Sequence, residues 1–448
     1  MSPNSYPKYK DSGVDWLNNV PEHWHITPLG KHFTLRNVTV SDRDFVPLSV
    51  TMSGIVPQIE NVAKTENGDS RKLVRRGDFV INSRSDRKGS SGLSDYDGSV
   101  SQISIVLVPH RIAPKFTHHL LRSVPFQEEF YRFGTGIVAD LWSTRFSSMK
   151  AIRLALPPIS EQEAIAAYLD RETDEIDAFI ADQEELIALL AERRTATITR
   201  AVTKGIDPSA PMKNSDIEWL NEVPIHWTVT SLKHYINVLP GYAFKSEDFT
   251  QEETDVRLLR GVNINPGSVK WGDVVRFDYS QRPDLKDYEL QSGDLVLGLD
   301  RPIVSDGIRV ASISDEDLPS LVLQRVARIR TKPRANKLFV RYLLESEVFA
   351  NYLAPLFTGV SVPHMSPGQL GSFTVAMAPL TEQQEIVDYL ERETSEIDAA
   401  IDDAREAIAL SKERRAAVIS ATVTGKIDVR GLVTPEANNV EGVSVGIA

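Results

Sequence analysis

Ile176, Ile180, Gln183, Ile187, Leu190 and Arg194 follow one another at spacings of 4-3-4-3-4. Ile397, Ile401, Ala404, Ile408, Ser411 and Arg415 repeat that register 221 residues later. This is the 3.5-residue period of a helix that lays a seam against another helix, with polar residues weakening several seam positions. The segments that carry it, 158–207 and 379–428, align without a gap and are identical at 28 of 50 positions. Pro158-Ile-Ser-Glu-Gln-Glu163 and Pro379-Leu-Thr-Glu-Gln-Gln384 read as capping boxes at the two helix starts, and Gly205 and Gly425 as left-handed caps at the ends. About 40 helical residues at roughly 1.5 Å each make a rod of about 60 Å, provided Thr173 and Thr394 do not break it. Leu169, Leu186, Leu189 and Leu390 lie off the seam and leave apolar surface on which partner helices could dock.

Between the helices the period changes. Runs at 79–82, 104–108, 295–298 and 325–329 have the short β-rich character of strands, bounded by Gly, Asp and Ser. Helical stretches are expected near 116–132 and 337–354. The duplication extends into these regions. Asp15-Trp-Leu-Asn-Asn-Val-Pro-Glu-His-Trp24 returns as Glu218-Trp-Leu-Asn-Glu-Val-Pro-Ile-His-Trp227, at an offset of 203. Arg76-Gly-Asp-Phe-Val80 returns as Ser292-Gly-Asp-Leu-Val296, at 216. Leu120, Leu121 and Phe126 match Leu343, Leu344 and Phe349, at 223. Each copy therefore runs from an entry motif through a variable region into a helix. Such a tandem copy builds a pseudo-twofold object. The expected fold class is α+β, with two pseudo-twofold-related α/β lobes separated by an antiparallel coiled coil of the two long helices. The tail from Leu432 onward lacks periodicity and is expected to be disordered.

The chain has 448 residues and a net charge of −12, which by itself speaks against a polyanionic partner. The distribution changes that picture. Residues 160–200 hold 4 Lys/Arg against 11 Asp/Glu, and 381–426 hold 6 against 11, so the helices carry the whole excess. Residues 28–159 are basic, with 18 against 12. Cysteine is absent and no run of about 18 apolar residues occurs, so a soluble, cytoplasmic protein is expected.

Catalytic motifs do not stand out. The chain has no GxxxxGK[ST] loop and no HExxH, and Asn265-Pro266-Gly267 reads as a turn. The histidines lack a ligand spacing. The Trp-x7-Trp entry motifs read as structural pins around Val20-Pro21 and Val223-Pro224. Basic loops are more suggestive. Arg71, Arg75, Arg84, Arg87, Lys88 and Ser91 lie in or beside Ser- and Gly-rich turns of the first lobe, where arginine could meet phosphate or a guanine edge. Lys245, Asn263, Arg301, Gln324 and Arg325 are the counterparts proposed for the second lobe. Arg145 and His364 follow Thr135-Gly136 and Thr358-Gly359 in polar loops that differ between the copies.

Taken in order, Pro-Pro/Ala-Pro-x-x-Glu-Gln, Tyr-Leu-x-Arg-Glu-Thr-x-Glu-Ile-Asp-Ala, Glu-Arg-Arg and Val-Thr-(Lys-Gly/Gly-Lys)-Ile-Asp in both halves, with the Trp-Leu-Asn-x-Val-Pro-x-His-Trp entries, cover nearly the whole chain. This set resembles the specificity (S) subunit of Type I restriction-modification systems. Thr203-Lys204-Gly205 departs from the more usual Thr-Gly-Lys and would shift the first helix end by a residue. The resemblance implies target recognition domains at 1–157 and 208–378, conserved helices at 158–207 and 379–428, and a tail at 429–448. Each recognition domain would read one half of a bipartite, asymmetric double-stranded DNA target. Ile176, Ile180, Ile187, Leu190, Ile397, Ile401 and Ile408 would form the coiled coil and the partner-binding rod. Two methyltransferase (M) subunits and translocating endonuclease (R) subunits would assemble on it. S-adenosylmethionine, ATP and Mg would serve those subunits, with no catalytic site, metal or cofactor in this chain. A self-contained methyltransferase or nuclease, and an adaptor whose lobes bind protein, are the competing readings.

Overall fold

The structure, a computed structural model, describes residues 5–58, 68–136, 142–280, 282–305, 307–357 and 363–432. It divides into two compact units, Met1–Gln183 with Glu406–Ala448 and Glu184–Arg405. Each unit combines one lobe with part of both long helices.

In unit 1 the main elements are β1 (Phe33–Leu35), β2 (Phe79–Asn82), β3 (Ser91–Leu93), β4 (Ser104–Pro109), α1 (Pro114–Arg122), α2 (Val124–Arg132) and the start of α3 (Ile159–Lys204). The sheet order is β3-β2-β4-β1, antiparallel throughout. Phe-Val-Ile-Asn of β2 is buried on both faces, which is why it reads as a continuous apolar run. Phe79 and Ile81 join Phe116 and Leu120 of α1 in one core. Val80 and Val106 face the other way, onto Leu48, Ile55, Val74 and Val100 of a smaller second layer.

Unit 2 repeats the scheme with β5 (Ile236–Pro240), β6 (Leu295–Gly298), β7 (Val310–Ser312), β8 (Val326–Thr331), α4 (Lys337–Glu345), α5 (Glu347–Leu353) and the start of α6 (Leu380–Val423). Its sheet runs β7-β6-β8-β5, the same order as in unit 1. The second layer differs. It has four strands, one pair of them parallel (Val256–Leu259 beside Ser320–Val322), and its own aromatic cluster around Phe244 and Phe277. The 13-residue growth between the copies falls in this layer.

Three sequence expectations change in detail. The helical stretches 116–132 and 337–354 each split in two, at Ser123 and Ser346, both extended in backbone. Ser123 and Pro125 favour a new start there, and the Ser123 hydroxyl accepts from Phe126 N–H. The long helices begin at Ile159 and Leu380, so Ser160 and Thr381 sit inside the first turn rather than capping it. The Pro158 carbonyl accepts from Glu161 and Gln162, and the Pro379 carbonyl from Gln383. Leu169 and Leu390 are fully buried in the lobe cores, leaving Leu186 and Leu189 as the exposed pair.

Two first-turn carboxylates clamp the entry motifs. Glu161 accepts from Trp24 Nε1 (2.9 Å) and bonds His23 (2.7 Å); Glu382 does the same with Trp227 (3.0 Å) and His226 (2.7 Å). The neighbouring glutamines hold the starts of α1 and α4, through Ala113 N–H to Gln162 and Asn336 N–H to Gln383. Gly205 and Gly425 take left-handed φ of +74 and end the helices; a β-carbon at Gly425 would collide with Pro21 of the entry motif, and one at Gly205 would crowd Glu382 beside Trp227. Those contacts explain why both ends of each copy keep their sequence.

Neither threonine breaks a helix. Thr173 and Thr394 donate back to the carbonyls of Leu169 and Leu390 (2.7 Å each). The helices, 46 and 44 residues, run about 69 and 66 Å. Their pairing is antiparallel in both units. Arg415 bonds Asp177 (2.8 Å) in unit 1, and Arg194 bonds Asp398 (2.8 Å) in unit 2.

Candidate nucleic-acid interface

β2 and β6 end at equivalent points, and the backbone beyond them is fixed the same way. In unit 1, Arg84 forms an isolated antiparallel bridge with Ser143, flanked by Ser85 N–H to Trp142 O (3.1 Å) and Thr144 N–H to Ser83 O (3.0 Å). In unit 2, Asp300 bridges His364, flanked by Arg301 N–H to Pro363 O (2.8 Å) and Met365 N–H to Leu299 O (2.9 Å). The strand offset of 216 carries Arg84 onto Asp300, and the helix offset of 221 carries Ser143 onto His364. One backbone frame thus presents two chemistries.

The unit 1 edge is a donor. Arg84 is exposed, and its guanidinium has no partner among the described residues. Arg87 is exposed and lies 3.8 Å from Asp86. Lys88 is drawn back onto α2, paired with Glu128 and set over the Tyr131 ring (5.7 Å). Arg145 is exposed at the end of the same bridge segment.

The unit 2 edge mixes acceptor and donors. The Asp300 carboxylate accepts from Arg325 Nη1 and bonds His364 Nδ1 (2.6 Å). Burial opposes its charge, yet the Arg325 and His364 hydrogen bonds outweigh that and hold the carboxyl below its ordinary range. Arg325 and Arg301 both adopt left-handed φ, +68 and +45. For an L-residue this costs about 1–2 kcal/mol each. Gln324 is exposed beside them, held by its N–H to Tyr242 O (2.8 Å).

The remaining candidates separate by burial. Arg71, Ser91 and Asn263 lie inside the fold, at 5%, 1% and 1% exposure, which corrects the expectation that they line a binding surface. Arg71 donates to the Ser99 hydroxyl (2.9 Å) and carbonyl (3.0 Å), stitching two strands of the second layer. Asn263 closes a turn, donating to Lys270 O and Asp273 O (3.1 Å each). Arg75 pairs with Asp97 (2.7 Å), and Lys245 with Glu247 (3.4 Å) on the surface. Asn265-Pro266-Gly267 forms the hairpin turn its sequence suggests, with Gly267 at φ +77. The loops at 137–141 and 358–362, including Thr358-Gly359, lie outside the described residues, as does the tail from 433.

On the helices, Ile176, Ile180, Ile397, Ile401 and Ala404 are buried, while Ile187, Leu190 and Ile408 are half-buried. A groove of about 520 Å³ opens between the helices in unit 1, lined by Glu172, Ile176, Phe179, Leu410 and Arg414 among others. Phe179 and Leu410 are exposed in it. Where α1 meets the helix pair, His118 and Arg122 bond each other (3.0 Å) near Arg415. Burial first, then the two neighbouring arginines and His119, push the His118 pKa down to about 3. The equivalent site in unit 2 is a neutral network of Arg341, Glu345, Arg194 and Asp398.

Sequence reasoning did not single out Asp300, Glu161 or Glu382. Nor did it find the buried Asp78 and Asp294 of the repeated Gly-Asp turns, each held by two guanidinium bonds. Arg36 from just after β1 serves Asp78, whereas Arg330 from β8 serves Asp294. The duplicated Gly-Asp was the available signal; the arginines come from non-equivalent positions and left none.

Among the described residues, no group of three or more His, Asp or Glu is placed to hold a metal ion, and no helix is long and apolar enough to cross a membrane. No protein-family model matches the chain. It is 29% identical over 441 residues, 95% of its length and 98% of the other's, to the Type I restriction enzyme MjaVIII specificity subunit of Methanocaldococcus jannaschii. Over 208 residues, 46% of this chain and 34% of that protein, it is 36% identical to the Type I restriction enzyme EcoAI specificity subunit of Escherichia coli. A chain solved in work on complex assembly and conformational transition of the type I R-M system matches with a TM-score of 0.67 at 16% identity, over 91% of this chain and 99% of its own. That likeness speaks to the fold: two mixed α/β lobes and a pair of long helices.

Proposed function

We propose, from the premise that this chain is a homologue of Type I restriction enzyme specificity subunits, that it gives such a complex its DNA sequence specificity. Each lobe reads one half of a bipartite, asymmetric double-stranded target. The observation that carries this reading is the shared bridge at the ends of β2 and β6, where one frame presents Arg84 in one lobe and Asp300 with His364 in the other. A duplicated frame with divergent edges suits two half-sites of different sequence.

The helices set the distance between half-sites and dock two methyltransferase subunits, with the exposed Phe179 and Leu410 as apolar contacts. Their acidic surface is then turned to protein, and the basic loops around Arg84 and Arg87 to phosphate. Endonuclease subunits join the same assembly. S-adenosylmethionine, ATP and Mg belong to those partners, and this chain positions the methyltransferase without performing chemistry. Two linked sites on one duplex offset the weakness of each alone.

A mobility-shift series tests the reading, using the full chain with and without its methyltransferase subunits on duplexes of varied sequence. Sequence-selective retention with the subunits present is expected. Methyl transfer by the chain alone would point to an enzyme, and absence of selectivity with all partners present to a protein adaptor.

A further inference from the structure

We propose that Asp300 is the positioning residue of the unit 2 reading edge, holding Arg325 and His364 so that Arg325 meets a guanine and sets one base pair of one half-site. The inference rests on the DNA-reading function proposed above and deepens it to a residue and a base.

An arginine and a histidine from separate segments, the turn before β8 and the segment after 362, converge on one carboxylate. The Arg325 and His364 side chains are 64% and 52% exposed, whereas Asp300 is 24% exposed, so the acid sits behind and the donors stand in front. Ion pairs this exposed add little to stability. Two arginines at left-handed φ work against it. The arrangement therefore does something other than hold the lobe together.

What it does follows from the atoms left over. Asp300 engages Arg325 through Nη1 alone, and Nε and Nη2 have no partner among the described residues. Those two N–H groups form the parallel fork that fits O6 and N7 of guanine in the major groove. A carboxylate beside the guanidinium repels phosphate, so the edge favours a base over the backbone. Fixing the fork before binding removes the ordering cost that a free arginine would meet. Arg84, at the matching position of unit 1, has no such lock and is free to follow phosphate.

The test uses the full chain with its methyltransferase subunits, selecting from a library of duplexes randomised in both half-sites. Asp300→Asn keeps the side-chain shape and removes the charge. It is expected to lower the preference for guanine at one position of one half-site by about tenfold, with the other half-site and the thermal midpoint unchanged. Arg325→Lys, which lacks the fork, is expected to lose the same position and serves if Asp300→Asn folds poorly. Unchanged preference in both variants overturns the assignment, as does an equal loss across both half-sites. If the unsubstituted assembly selects no sequence at all, the broader DNA-reading function falls instead.

Discussion

The two lobes agree where the chain needs a frame and differ where a ligand would meet it. Glu161 and Glu382 clamp their His-Trp pairs with bond lengths that match within 0.1 Å. The buried Asp78 and Asp294 each hold a half-buried arginine. At the strand ends the same bridge carries a bare Arg84 in one lobe and a carboxylate between an arginine and a histidine in the other. Repetition inside one chain thus sorts its own residues: those kept at the same place twice build the frame, and those changed on a kept backbone are the ones to which the proposed function assigns recognition.

That division can be broken at its structural side first. Trp24→Ala removes a fully buried indole and is expected to cost about 3–5 kcal/mol, with faster amide hydrogen exchange in 5–183 and 406–432. Trp227→Ala should place the same loss in 184–405. Equal exchange in both units for either variant would show that the copies do not fold as separate frames. Asp78→Ala and Asp294→Ala, each stranding a half-buried arginine, are expected to cost about 3 kcal/mol, read as a shift in urea midpoint. The two losses should be alike although the arginines come from non-equivalent positions.

Acid should separate the units. The His118 pKa lies near 3, below the ordinary 6.5, so the unfolded chain takes up its proton first. Stability from that neutral imidazole is complete above pH 6.5 and falls as pH drops towards 3, by at most about 1.4 kcal/mol per pH unit. His119, foremost, with Lys115 holds Asp170 at about 2 against burial, so a further loss follows between pH 3.8 and 2. Unit 2 has Arg341, Tyr342 and Glu391 in the corresponding places. Hydrogen exchange at pH 5 should therefore rise in unit 1 before unit 2, and His118→Gln should flatten the difference. The smallest effect is at the edge. Arg84→Gln is expected to lower the salt slope of DNA binding by about 1, while Lys88→Gln does less because Glu128 already holds that ammonium.

Much of this frame was legible because repetition and period both point to it. The seam at Ile176 and Ile180, the glycine caps, the apolar strands and the entry tryptophans all stand in the sequence. The edges were harder for a physical reason. Arg84 and Ser143 are brought together across a separation that no period spans, and the copies drift by different offsets on either side of it. Arg71 looked like part of a basic surface run, yet it lies on a strand whose neighbours need its guanidinium. Ser160 looked like a helix cap, but the Pro158 carbonyl begins the helix earlier, and the first-turn Glu161 bonds Trp24 instead.

The claim that each lobe reads independently is tested most directly by exchanging residues 28–155 for the corresponding lobe of another such subunit and mapping methylated adenines in cells that carry the complete system. One half-site should change, while the other half and the gap between them stay as they were. A change in both halves, or in neither, would contradict the account.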